Sequence, residues 1–194
     1  MAEISRSGQR YPTDNGDNGN YPTNYPNNAP AGRVEYPSTR YRSYNELGFL
    51  TVSVPDNWRQ LGESNSVWFV PEGGYGQVQG RGVFTHGVNF GVFQSQSSGV
   101  QRATEEFINS LAQGNNNLRQ SSGFQRAYVS GRNGLSTTLS NVNEATGQRE
   151  VVTLITSQLQ NGDLFYMIAV TPQSDARGFT TAFNNILRSV RLNS

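Results

Sequence analysis

The chain contains no cysteine and no lysine, and His86 is its single histidine. The missing cysteine removes disulfides, thiol nucleophiles and thiolate metal clusters, and it leaves the redox compartment open. All 15 basic residues are arginine, so Schiff-base amines and phosphate-loop lysines are excluded as well. With one imidazole and no thiol, neither a zinc site nor any other resident cofactor is expected. Charge is also scarce. Charged residues make up 15% and the formal net charge is +1, beside roughly 25% charged residues in average soluble domains. Long-range attraction of a nucleic acid or an anionic membrane is therefore not expected. No stretch approaches the ~18 consecutive apolar residues of a membrane span, and Met1 to Arg6 lack an apolar signal-peptide core. The expectation is a cytoplasmic protein, or a mature or excised fragment without membrane insertion.

What is present instead is Asn, Gln, Ser, Thr and Gly, a hydrated surface without strong fields. That composition favours a periplasmic, envelope or secreted location over a cytoplasmic one. Length suits one domain plus a tail. Residues 1–44 are read as a flexible tail or linker rich in Tyr-Pro, Asn and Gly, with Tyr-Pro at Tyr11, Tyr21, Tyr25 and Tyr36. Proline fixes its own φ and pushes the preceding residue toward extended backbone, so such a segment is stiff yet buries almost nothing. The Tyr-Pro steps are read as a polar spacer in preference to docking motifs for an aromatic groove.

Residues 45–194 carry the periodicities of one folded domain, with order expected to begin near Leu47. Phe49 to Pro55 alternates apolar and polar residues and ends at Pro55-Asp56-Asn57, and Trp58 is placed at the turn as a plug for one end of the core. Val67 to Pro71 is a second short strand. Gly82 to Phe84 and Val88 to Phe93 form a third, interrupted near His86-Gly87. From Val100 the period becomes helical: Val100, Ala103, Phe107, Ile108, Leu111 and Ala112 share one face, with Ser97 or Ser98 to cap and Gly114 to stop. Strand patterns return over Phe124 to Val129 and Gly134 to Ser140. Glu150 to Gln158 and Leu164 to Thr171 then flank Asn161-Gly162, a pair that predicts a type I′ hairpin. Ser174 can cap a last helix whose stripe is Phe179, Ala182, Phe183, Ile186, Leu187 and Val190, with Arg188 and Arg191 at its favourable C-terminal end. Strands, helix, strands, helix, with adjacent antiparallel pairs, define an α+β fold: one twisted antiparallel sheet flanked by helices.

This order, with Phe49-Leu50-Thr51-Val52-Ser53-Val54-Pro55-Asp56-Asn57-Trp58 at its start and Phe183-Asn184-Asn185-Ile186-Leu187-Arg188-Ser189-Val190 at its end, resembles the PsbP-like superfamily from about Leu47 to Leu192. The resemblance implies an α/β/α sandwich used as a binding or accessory module. More narrowly, the arrangement is similar to the non-catalytic C-terminal region of some bacterial HtpX-like zinc metallopeptidases, which follows a Tyr-Pro and Asn-rich linker. Thr85-His86-Gly87 is not a His-Glu-x-x-His zinc motif, so the likeness is to the appendage and not to the enzyme.

The remaining chemistry is sparse. The loop Gly73 to Gly82 has the glycines and the arginine of a phosphate cradle, but a strand follows it where such a cradle needs a helix N-terminus. It is read as a mobile hairpin tip. With Trp68, Phe69 and Tyr75 close by, it is the best candidate for a protein or glycan contact surface, although Trp68 or Phe69 must face the core. The binding residues selected are Trp68, Tyr75 and Arg81; no catalytic or metal residue is assigned. Glu105 and Glu106 are read as a solvated helix face. Arg119, Arg126 and Arg132 lie in polar loops without interleaved aromatics, which argues against RNA.

The reading is thus a non-enzymatic module with a protein partner, of undetermined oligomeric state. A free-standing secreted structural protein assembling through its tail is the rival of the same class. A small hydrolase using His86 is the rival of a different class. It requires His86 in a cleft within hydrogen-bonding reach of an Asp or Glu, and an exposed or isolated His86 excludes it.

Overall fold

In the computed structural model, residues 34–63, 66–78 and 81–193 are described. Most of the tail assigned from sequence, residues 1–33, lies outside them. The described chain runs β1 (Tyr41–Glu46), β2 (Leu50–Pro55), β3 (Trp58–Glu63), β4 (Ser66–Pro71), β5 (Tyr75–Val78), β6 (Arg81–Phe84), β7 (Gly87–Phe93), α1 (Val100–Gly114), β8 (Arg119–Gln120), β9 (Gln125–Val129), β10 (Arg132–Val142), β11 (Arg149–Gln158), β12 (Leu164–Pro172), α2 (Ala176–Ser189) and β13 (Arg191–Leu192). The α+β class holds.

The main sheet is ordered β3-β4-β7-β12-β11-β10-β8, with β9 also on β10, and its pairs are antiparallel. Strand β12 lies at its centre, and all nine of its residues are buried. Successive side chains on a strand point to opposite faces, so β12 feeds two cores. Phe165, Met167 and Ala169 pack with Phe179 and Ile186 of α2 and with Leu50, Val52 and Val54 of β2. Leu164, Tyr166, Ile168 and Val170 pack with Ala103, Phe107 and Leu111 of α1 and with Phe84 of β6. The helices therefore cover opposite faces, and a small sheet, β1-β2-β13, shares the α2 layer.

Several local expectations are corrected. Order begins before Leu47: Tyr41 to Glu46 pairs along β2 as β1, with Tyr41 and Tyr44 packed on the core. Trp58 does plug the core, at 3% exposure, but it opens a strand, β3, that pairs with β4. The Gly73 to Gly82 stretch contributes two strands, β5 and β6, which form a separate two-stranded sheet; residues 79–80 at its tip are outside the described set.

The Asn161-Gly162 hairpin forms without a type I′ turn. Its ladder closes at Gln158 and Leu164, and the loop between them is held by Leu159 N–H to Asp163 O at 2.8 Å and Gly162 N–H to Leu159 O at 3.0 Å. Only Gly162 takes a positive φ there, whereas type I′ needs two. Two adjacent positive φ values occur instead at Leu47 and Gly48, between β1 and β2, and at Ser130 and Gly131, between β9 and β10, and the Ser130 hydroxyl accepts the Leu192 N–H at 3.0 Å.

Neither helix is capped as expected. Gly99 precedes α1 without a side-chain cap; Glu106 instead reaches back to Ser95 Oγ at 2.6 Å and Gln96 N–H at 3.1 Å. These bonds hold its carboxyl below the usual range. Asp175, not Ser174, precedes α2, and its carboxylate is engaged elsewhere.

The close packing of the α1 face supplies a test. Gly91 of β7 sits directly opposite Tyr166 of β12, and a Cβ at Gly91 would run into the tyrosine side chain. Tyr166 is 1% exposed and stacks on Phe107 with ring centroids 4.5 Å apart, so it has nowhere to retreat. Gly91→Ala is expected to cost about 1–3 kcal/mol of stability in urea unfolding. Combined with Tyr166→Val it should cost clearly less than the sum of the two single changes, because either change makes room for the other. Strict additivity would show that the two positions do not compete for space.

Candidate functional site

Three distant segments meet at the N-terminal end of α2, and Phe179 is their common neighbour. Its ring lies 4.9 Å from His86, 5.9 Å from Tyr36, 6.3 Å from Trp58 and 5.9 Å from Phe183. The β2–β3 turn brings Asn57 and Trp58, the β6–β7 turn brings Thr85 and His86, and the helix start brings Asp175 and Gly178.

His86 is 4% exposed and Thr85 is 4% exposed. Thr85 Oγ1 lies 2.9 Å from His86 Nδ1, and His86 Nε2 lies 3.1 Å from Asp175 Oδ2. With Asp175 ionised, Nε2 must carry the proton and donate it, so Nδ1 accepts from Thr85. Both ring nitrogens are therefore occupied by intramolecular bonds. Burial drives the imidazole pKa below its ordinary 6.5, a shift opposed by the hydrogen bond and the charge of Asp175. The hydrolase reading asked for an acid within reach of His86, and Asp175 is that acid, 89 residues away in sequence. The ring is neither exposed nor isolated. The ring is buried, and its bond to Asp175 pins the β6–β7 turn to α2.

Trp58 Nε1, at the same junction, is a buried donor without a hydrogen-bond partner among the described residues. Such a donor costs about 1–3 kcal/mol, which the packing of the indole against Phe179 and Phe183 must offset.

A strap of chain crosses this junction. The Asn57 side-chain amide donates to Tyr36 O at 3.0 Å and accepts from Ser38 N–H at 2.9 Å. The Tyr36 ring lies against Gly178, where a Cβ would collide with it.

Of the three residues selected from sequence, Trp68 and Tyr75 lie on the other face. Trp68 and Phe69 are neighbours on β4 and so point to opposite faces. Both are buried, Trp68 at 8% exposure with its ring edge-on to Phe84 at 5.0 Å. Tyr75, opposite Phe84 in the β5–β6 ladder, is half-buried and packs on the α1-side core. Phe84 thus links Trp68 and Tyr75. Arg81 opens β6 opposite Val78. The hairpin is fastened to the His86 turn by Thr85 N–H to Gly74 O at 2.8 Å.

Sequence reasoning missed Asn57, Asp175, Gly178 and Glu150. Glu150 is 2% exposed and accepts from Asn141 Nδ2 at 2.9 Å and Asn143 Nδ2 at 2.8 Å, while Asn143 Oδ1 accepts the Ala145 and Thr146 amides. Among these, only Gly178 left a signal in the sequence: a glycine in a helix costs about 1 kcal/mol relative to alanine, so its place in α2 required a reason. Among the described residues no group of three His, Asp or Glu side chains could hold a metal ion, and no helix is long and apolar enough to cross a membrane.

No family model and no curated protein matches this sequence. Solved structures do match its shape, and they define an antiparallel-sheet α+β class. The Ran-binding protein Mog1p of Saccharomyces cerevisiae is 12% identical with a TM-score of 0.56, the match covering 81% of this chain and 97% of Mog1p. Cyanobacterial PsbP of Synechocystis is 10% identical with a TM-score of 0.50, covering 84% of this chain and 98% of that one. A Bacteroides thetaiotaomicron protein is 10% identical with a TM-score of 0.51, over 79% of this chain and 48% of its own. The shared architecture is the PsbP-like fold.

His86, as the single histidine, reports on the pin directly. A folded pKa below the unfolded 6.5 means that the unfolded chain takes up the proton first as pH falls. The contribution of His86 to stability is thus fully present above pH 6.5 and is lost as pH falls below it. In an NMR titration the imidazole midpoint should lie below 6.5, and Asp175→Ala should lower it further by removing both the hydrogen bond and the charge that oppose the burial. A native midpoint at or above 6.5 contradicts the burial argument.

Proposed function

We propose that this chain is a non-catalytic binding or accessory module that engages a protein partner. The observation that carries this reading is the state of His86: the one imidazole of the chain is buried with both nitrogens committed to Thr85 and Asp175. The buried acid Glu150 is likewise bonded to two asparagines. Polar chemistry is spent on holding turns together. Mog1p, named as Ran-binding, has the same fold, and a protein-partner role is extended from it to this chain as part of the proposal.

The contact surface we assign is the β5–β6 hairpin, with Tyr75, half-buried, and Arg81, at the start of β6, as its candidate contacts and Trp68 as the buried support behind Phe84. A half-buried aromatic such as Tyr75 suits binding, because little side-chain entropy remains to be lost. An exported or envelope setting is supported by the uncharged polar composition. A role beside a metallopeptidase, as an appendage positioning substrate or partner, rests on the sequence resemblance alone; an in-frame His-Glu-x-x-His helix upstream in the source genome would support it, and a stop codon there would remove it.

The hairpin assignment is tested by site-specific photocrosslinking in the source cell. A photoreactive residue at position 75 should give a discrete heavier species, and one at Tyr128, exposed on β9, should not. Equal products from both positions, or none from 75, overturn the assignment.

A further inference from the structure

Residues 34–40 cross the α2 junction in a way that reads their sequence. Asn57 bonds the carbonyl of Tyr36 and the N–H of Ser38, at 3.0 and 2.9 Å, and skips residue 37. Any other residue there would present an N–H that the clamp does not take; Pro37 has none. Proline also holds the preceding residue extended, which spares ordering entropy on docking. The tyrosine ring needs a flat, Cβ-free seat beside an aromatic, and Gly178 and Phe179 supply it. Glycine inside a helix is otherwise unfavourable. The site therefore recognises Tyr, then Pro, then a small polar residue with a free N–H.

That pattern recurs three times upstream, as Tyr11-Pro12-Thr13, Tyr21-Pro22-Thr23 and Tyr25-Pro26-Asn27. Tyr36 itself remains 62% exposed in the seat, so its hold is shallow and a second motif of like chemistry can displace it. We infer that the Asn57–Gly178–Phe179 notch is a Tyr-Pro binding site whose alternative occupants are the upstream Tyr-Pro motifs of the same chain, docking in place of Tyr36. A tethered motif is present at an effective concentration on the order of millimolar, which favours the same chain over a second copy in dilute solution. The Tyr-Pro motifs are then interchangeable occupants of one notch. This inference is independent of the β5–β6 hairpin assignment.

A tyrosine ring over Gly178 shifts its Hα resonances upfield, and this shift is the readout, in the full chain. Tyr36→Ala alone should retain most of the shift, because another motif takes the seat. The fourfold variant Tyr11→Ala, Tyr21→Ala, Tyr25→Ala, Tyr36→Ala should lose it. A synthetic peptide of residues 19–29 added to the fourfold variant at millimolar concentration should restore it, and the same peptide with both tyrosines changed to alanine should not. Equal loss in the single and fourfold variants overturns the inference. A shift in Tyr36→Ala that appears only on raising protein concentration, with dimer in sedimentation, overturns the same-chain assignment in favour of a second copy. Backbone shifts of β7, β11 and β12 serve as the check that every variant is folded.

Discussion

The constraint on which the rest depends is the burial of β12 on both faces. A strand with nine consecutive buried residues cannot lie at a sheet edge or face water on either side. It must have strands on both flanks, here β7 and β11, and a layer on each face. One layer is α1 with the β5–β6 sheet; the other is α2 with β1, β2 and β13. Because α2 follows β12 after only three residues, its N-terminus is fixed beside the end of that strand. Gln173 N–H to Arg149 O and Asp175 N–H to Pro172 O, at 2.9 and 3.0 Å, secure the connection. The position of Phe179, and of everything gathered around it, follows from that short link.

At that junction stability and recognition use the same groups. Asp175 stands where a helix-capping carboxylate would sit, yet no side-chain cap bond forms because it faces His86. An anion at this position still complements the positive end of the helix, so the electrostatic benefit is kept while the hydrogen bond goes to the turn. Gly178 gives up helix propensity for a seat that an aromatic ring fills. Trp58 leaves a donor unsatisfied for the sake of ring packing. Three departures from local preference within one small region, two at the start of α2 and one at the start of β3, show tertiary demands overriding propensity.

The parts of this arrangement legible in the sequence are those set by short-range periodicity. The β11–β12 pair, α1 and α2 announce themselves through alternation and apolar stripes, and the structure keeps them within a residue or two. Strands β1 and β3 were not legible, because Tyr-Arg-Ser-Tyr-Asn-Glu and Trp-Arg-Gln-Leu-Gly-Glu are too polar to read as strands. Each has one neighbouring strand, and its pairing is decided by a partner rather than by its own pattern. The Asn161-Gly162 pair marked the hairpin correctly but not its geometry, since register across nine β11–β12 residue pairs outweighs turn preference. Helix caps failed for a related reason: Ser97, Ser98 and Ser174 are good capping types, but Glu106 and Asp175 had partners that no window could show. The bond between His86 and Asp175 is purely a product of topology.

The same reasoning limits what aromatic residues in the sequence say about a contact surface. Trp68 and Phe69 are adjacent, and a strand within a two-faced sheet must turn one each way; with both faces covered, neither can be a wide exposed platform. Aromatic content near a glycine-rich loop is then weak information about binding, because the aromatics are drawn into the two cores first and only what the second layer fails to cover is left outside. On this fold the aromatics left outside include Tyr75, half-buried on the hairpin, Tyr36, laid over a glycine, and Tyr128, exposed on β9. All three are tyrosines, whose hydroxyl allows one end of the ring to stay wet while the other packs. A sheet that buries its interior this completely leaves recognition to residues at its seams, and the α2 seam is where a clamp, a seat and a matching sequence repeat coincide.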